Sequence, residues 1–200
     1  MNTSNKTRKL TFLGVMLSLT IVFVMITAIP GPTATLAFLM FIPTIVTSIV
    51  YGPKLGAVMG FLAGLSTLVR AYVAPLSAFD YFFQNPLVSI LPRIFIGITP
   101  YLVYIGINKL LKFKGAENVS AIIAGAVGAI TNTILVITAL YIIYSTSVVT
   151  MYTEAGLKIA NSIMGFLLVI GGFNGVIEAV TAAILTAPIV LIYNRMKKNN

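Results

Sequence analysis

The sequence predicts an all-α membrane protein of six transmembrane helices with both termini cytoplasmic, and three observations predict it. Charge is scarce, with 8% of the 200 residues charged against 58% apolar, and the mean hydropathy is +1.03. Soluble domains carry about 25% charged residues, so this chain has too few to cover a water-facing surface. The apolar runs are continuous and long, whereas membrane-spanning strands are about 10 residues and alternate. Lipid offers the backbone no hydrogen bonds, so a continuous apolar run is a helix. Finally, the basic residues fall on alternate connections, as the positive-inside rule requires of a six-span chain.

The first helix is expected from about Leu10 to Ile29, ending at Pro30-Gly31-Pro32. Its apolar run exceeds the 7–15 residues of a signal peptide, so it reads as an uncleaved span. The second is short, about Leu36 to Val50, ends at Tyr51-Gly52-Pro53, and is expected to kink or break at Pro43. The third runs from about Lys54 to Arg70, and a polar, aromatic loop follows from Ala71 to Gln84. The fourth, about Asn85 to Asn108, carries Pro92 and Pro100, and Lys109 to Asn118 form a basic turn. The fifth is expected from about Val119 to Tyr144, before a Ser/Thr-rich loop from Ser145 to Asn161. The sixth runs from about Ser162 to Tyr193. No linker or repeat divides the chain, so residues 1–200 read as one transmembrane domain.

In this topology Lys6, Arg8, Lys9, Lys54, Lys109, Lys112, Lys114, Arg195, Lys197 and Lys198 lie on the cytoplasmic side, and only Arg70 and Lys158 outside. The net charge of +9 is thereby read as a topology signal near anionic lipid, not as a nucleic-acid footprint. Tyrosines fall at both interfaces: Tyr51, Tyr104 and Tyr193 inside, Tyr72, Tyr81, Tyr144 and Tyr152 outside. The chain has no Cys and no His, no GxxxxGK[ST] loop and no HExxH. These absences argue against an enzyme, a metal site and a cofactor, and against ATP hydrolysis by that loop.

Arg93 is the most informative residue. It lies about eight residues, roughly 12 Å, into the fourth helix. An Arg at mid-membrane costs on the order of 2.5–3.5 kcal/mol, so it must face a cavity or a partner. Asn85, Ser89, Arg93 and Gly97 are four apart and expected on one inward face. Glu178, with Asn174 four residues earlier, and Asn132 bring further polar groups to the interior from the sixth and fifth helices. The residues leave two readings open. Arg93 and Glu178 form a structural ion pair with the asparagines as interhelical glue, or together they line a ligand pocket in the outer half of the bundle. The guanidinium has five donors, more than one Glu satisfies, which favours a carboxylate ligand. Tyr81 and Phe82 sit in an aromatic loop whose length suits a lid over that pocket, or a segment resting in the interface. Small-residue steps at Gly14 and Ser18, and at Gly56, Gly60 and Gly64, mark close helix contacts.

Four phrases carry a family resemblance: Pro30-Gly31-Pro32-Thr33-Ala34-Thr35, Tyr51-Gly52-Pro53-Lys54-Leu55-Gly56-Ala57, the run from Asn85 to Gly97, and Asn174-Gly175-Val176-Ile177-Glu178-Ala179. With them the chain resembles the substrate-binding S components of energy-coupling factor (ECF) vitamin transporters, of the pantothenate type. The resemblance implies a multi-pass cell-membrane subunit that binds a vitamin from outside. It would then reorient against a transmembrane coupling subunit driven by two cytosolic ATPases. The pocket read above supplies the candidate substrate contacts, Arg93, Asn132, Asn174, Asn85, Ser89, Tyr81, Phe82 and Glu178, and the resemblance implies a coupling-subunit face at Gly14 and Ser18. Pantothenate, a small carboxylate with an amide and hydroxyls, suits one Arg among amides. Folate, hydroxymethylpyrimidine and pyridoxine remain alternative vitamins. A stand-alone secondary carrier or a structural membrane protein remain alternative classes.

Overall fold

The computed structural model describes residues 3–29, 39–113 and 115–198. The expected first stop at Pro30-Gly31-Pro32 lies outside the described residues. Every regular element among them is helical: α1 (Thr3–Ile26), α2 (Ile42–Tyr51), α3 (Pro53–Val73), α4 (Pro86–Ser89), α5 (Leu91–Ile96), α6 (Thr99–Leu110), α7 (Ala116–Glu154), α8 (Ile163–Phe166) and α9 (Gly172–Lys198). A 3₁₀ turn covers Ala78–Gln84 and a π-helical turn covers Leu167–Gly171. Five segments are long and apolar enough to cross a membrane: Lys6–Ile26, Pro53–Val73, Pro86–Leu110, Ala116–Glu154 and Asn174–Met196. Leu39–Tyr51 is a shorter apolar helix.

The second helix differs from the others in kind. All residues from Ile42 to Ile49 are buried, Thr44, Thr47 and Ser48 included, so the helix is enclosed by protein on every side. At 10 residues, roughly 15 Å, it is about half a bilayer core long. Pro43 does not kink it. It stands in the first turn, where a missing N–H removes no intrahelical bond. Gly52, at φ 90°, makes the tight turn into α3, a conformation that glycine adopts without steric cost.

The fourth span is not one continuous helix. It breaks at Ile90 and again at Gly97–Ile98, and each of α4, α5 and α6 begins with a proline in its first turn. The chain stays right-handed helical through both points, so Ser89, Arg93 and Gly97 still share one buried face, while Asn85 is extended and precedes that face as the N-cap of α4. α3 fits against this broken strand of helix through its glycines. A Cβ on Gly56 would strike the Gly97 carbonyl, one on Gly60 the Arg93 carbonyl, and one on Gly64 the Ile90 backbone. The small-residue stripe thus lets two backbones touch.

The fifth helix kinks at its expected end, Tyr144, where φ/ψ are non-helical, and a second helical stretch continues from there to Glu154. Ser145–Thr153 reads as loop from its hydroxyl and β-branched composition. Val148, however, packs with Phe82, Val88 and Phe166 in an apolar cluster, and this burial holds the extension helical. α7 and α9 are in extensive contact, with Gly125 against Ala182 and Gly175 against Thr133.

The ends of the elements sort by charge. Tyr193 donates to Tyr51 (2.7 Å), and Asn194 donates to Tyr104 (3.3 Å). The start of α1 and the ends of α2, α6 and α9 therefore share one end of the bundle, with Lys6, Arg8, Lys9, Lys109 and Arg195. Arg70, the 3₁₀ turn and Asn85 occupy the other. Gly60→Ala is expected to destabilise the bundle by about 1–3 kcal/mol, the usual cost of overpacking. Gly106→Ala, where a Cβ meets nothing within 4 Å, should leave the melting temperature unchanged or raised.

Candidate functional site

Arg93 sits in α5 and is 3% exposed. The break between α4 and α5 leaves the Val88 carbonyl accessible, and Arg93 Nη1 donates to it at 3.0 Å. Two aromatic rings flank the guanidinium, with Cζ 5.6 Å from the Phe41 centroid and 5.3 Å from that of Phe83. Rings at this range attract a cation through their quadrupole. The buried Arg93 Nε has no hydrogen-bond partner.

Glu178 on α9 is the acid whose field reaches Arg93, yet the two form no ion pair; the ion pair found among the described residues is Arg70–Asp80. Glu178 is held instead by α7. The Thr133 hydroxyl donates to its Oε2 at 3.1 Å, and the Asn132 side chain also bears on its carboxylate. Asn132 is 5% exposed and its buried Oδ1 has no partner. The interior thus contains a cation with spare donors and an amide with a spare acceptor, separated from a carboxylate that they only partly satisfy. Buried polar atoms without partners are rare and call for an explanation.

The other expected residues divide. Asn85 caps α4, accepting from the Leu87 amide at 2.9 Å, and donates to the Tyr144 hydroxyl at 3.3 Å. Ser89, fully buried, donates to the Asn85 carbonyl. Both side chains shape the break before Arg93. Phe82 is buried and meets Tyr144 at a tilt with centroids 5.0 Å apart, while Tyr81 is 59% exposed. Asn174 is exposed whereas Glu178, one turn on, is half-buried. On α1, Ser18 donates to the Gly14 carbonyl (2.9 Å), and both residues are exposed with nothing near a Gly14 Cβ. Phe41, Phe83 and Thr133 join Arg93 and Glu178 without having been expected there. The aromatic composition of residues 79–83 was the signal available for Phe83; Phe41 and Thr133 carried none.

The 3₁₀ turn that presents Phe83 is tied down by Asp80. Arg70 at the end of α3 pairs with Asp80 Oδ1, and Oδ2 accepts from the amides of Leu76 (2.8 Å) and Ser77 (3.1 Å). Gln84 donates to the Ala71 carbonyl at 3.0 Å, and Tyr72 to the Gln84 carbonyl at 3.2 Å. Burial disfavours the charge on Asp80, but the hydrogen bonds from Arg70, Leu76 and Ser77 and the Arg70 charge outweigh it and hold the carboxyl below its usual range.

Residues 8–190 match the profile of the ECF transporter, substrate-specific component family. The chain belongs to that family: it is a multi-pass transporter subunit of the cell membrane and not an enzyme. It is 33% identical over 146 residues to the pantothenate transporter PanT of Leuconostoc mesenteroides subsp. mesenteroides, an alignment covering 72% of this chain and 68% of that protein. It is 29% identical over 175 residues to the pantothenic acid transporter PanT of Lactococcus lactis subsp. cremoris, covering 81% and 80%.

A folded-state value below the unfolded one means that Asp80 contributes its full stability above about pH 4 and loses it as pH falls through the lower folded value. Amide exchange across residues 76–84 should therefore be slow and constant from neutral pH down to about pH 4, after correction for intrinsic rates, and lose protection below. In Asp80→Asn the same amides should exchange faster already at neutral pH.

Proposed function

We propose that this chain is the pantothenate-binding subunit of an ECF-type importer, with the vitamin carboxylate on Arg93. The observation that carries the reading is the buried guanidinium, which is flanked by Phe41 and Phe83, bonded once to Val88, and left with unfilled donors. A bidentate carboxylate matches that fork. Asn132 and Glu178 lie on the elements facing Arg93 and suit the amide and hydroxyls of the vitamin, Glu178 as acceptor. The names of the two relatives support the same substrate.

In this reading the chain spans the membrane six times, with the short central Leu39–Tyr51 helix as the second span. The end that gathers Lys6, Arg8, Lys9, Lys109 and Arg195 is cytoplasmic, in keeping with the positive-inside rule. Arg93 then lies on the outer side of the basic end, under the Ala78–Gln84 turn, which serves as its lid with Tyr81 at the rim. Uptake uses a transmembrane coupling subunit and two cytosolic ATPases, and the open face at Gly14 and Ser18 is where α1 slides on the coupling subunit. Asn174 contributes only if α9 turns on binding.

Equilibrium titration of pantothenate into the purified chain tests the assignment. Arg93→Ala should weaken binding about 30-fold or more, as expected for removing one member of a desolvated, charge-assisted pair, while the fold survives by melting. Unchanged affinity in the folded variant would return Arg93 to a structural role. Gly14→Leu with Ser18→Leu should leave binding intact but abolish vitamin uptake in cells that supply the other subunits. Uptake at the parent rate would remove that face from the coupling interface.

A further inference from the structure

The vitamin site uses none of the residues at the basic end, yet a cavity of about 870 Å³ opens there between α1, the end of α2 and α9. Its walls include Arg8, Phe12, Met16, Tyr51, Ile192 and Tyr193. The floor is built and rigid. Phe12, Tyr51 and Tyr193 meet edge to face, with centroids 5.0, 5.3 and 5.7 Å apart, and the two phenols share a hydrogen bond. The rim is cationic. The Lys9 ammonium stands 5.8 Å from the Tyr51 ring centroid, and the Arg8 charge acts on the Tyr51 phenol. From Arg8 to Met16 the trough follows α1 for roughly 12 Å.

We infer that this groove binds an anionic phospholipid, with an acyl chain along Phe12, Met16 and Ile192 and the phosphate at Arg8. Two features together select this occupant. The trough is lined mainly by apolar side chains and runs along a membrane-spanning helix, so it accepts a hydrocarbon chain. Its mouth lies at Arg8, with Lys9 over the adjoining Tyr51 ring, and of the four acids only Glu117, in the first turn of α7, belongs to this end of the bundle. A neutral amphiphile satisfies the trough but not the rim. Basic pockets between membrane helices on the cytoplasmic side hold anionic headgroups by this logic. A lipid seated there fastens α1 to α9 at the end where neither helix is otherwise bridged by an ion pair among the described residues.

Native mass spectrometry of the delipidated full chain, titrated with dioleoyl phosphatidylglycerol or dioleoyl phosphatidylcholine, tests the site. Phosphatidylglycerol should be retained over phosphatidylcholine by about fivefold for each basic residue engaged. Arg8→Gln should lower that preference about fivefold, while Arg8→Lys keeps most of it. Ile192→Trp, which fills the trough, should displace the bound lipid and leave pantothenate affinity unchanged. Equal retention of the two lipids by the parent chain overturns the proposal, as does a preference left unchanged by Arg8→Gln. If glycerol phosphate alone binds as tightly as the lipid, the trough has no role and the proposal fails. If Ile192→Trp leaves lipid counts unchanged and instead blocks assembly with the coupling subunit, the groove belongs to a protein partner.

Discussion

Everything near the centre of this bundle is arranged around one costly act, the burial of the Arg93 guanidinium in a chain that has only four acids. A cation cannot be held in a lipid-embedded interior without compensation. Here compensation is distributed. A carbonyl freed by a helix break takes one donor, two ring faces take part of the charge, and a carboxylate acts from a distance. None of these saturates the fork. An ion pair with Glu178 would have neutralised the charge more simply. Instead Glu178 is turned toward Thr133 and Asn132. A site that keeps its cation and its acid apart is poised to accept a molecule with both an anionic and a hydroxyl-bearing end.

The position of Arg93 follows from backbone, not from side chains. Prolines start each of α4, α5 and α6, and the breaks between them expose the carbonyl that Arg93 uses. Gly60 lets α3 press directly on the Arg93 carbonyl, and Gly56 and Gly64 fix the turns on either side. The guanidinium is therefore mounted on a rigid seam. The 3₁₀ turn that brings Phe83 to it is held separately, by polar bonds from Arg70, Leu76 and Ser77 to Asp80. A rigid cation beneath a turn secured by a few polar contacts is the division of labour expected of a binding site with a movable cover.

Much of this was legible in the sequence because membrane chains are constrained strongly. Long apolar runs and the placement of Lys and Arg gave the helical class, and an Arg inside an apolar run identified itself. The Gly56, Gly60 and Gly64 spacing announced a close helix contact. Other features were hidden for physical reasons. The shortness of the α2 segment is legible, but its central position, with Ile42–Ile49 buried on all sides, is not. Ser145–Thr153 has loop composition, and the packing of Val148, with Val149, Met151 and Tyr152 beside it, keeps it helical. Helical spacing placed Asn85 and Ser89 beside Arg93 on one face, but Asn85 is spent as the extended N-cap of α4 and the Ser89 hydroxyl on the carbonyl one turn back. Phe41 and Thr133 come from other elements, and single-sequence periodicity cannot reveal a contact between elements.

Membership of the substrate-specific component family makes the chain a transporter subunit, and the pantothenate reading proposed above gives the charge on Arg93 a purpose. The central claim is that the guanidinium reads a carboxylate. The most direct measurement compares pantothenate with pantothenol, which keeps the amide and hydroxyls but replaces the carboxylate with an alcohol, by calorimetric titration into the intact chain. The account predicts that pantothenol binds weaker by about 30-fold or more, and that this gap closes in Arg93→Ala. Equal affinity of the two compounds for the unmodified chain would contradict it.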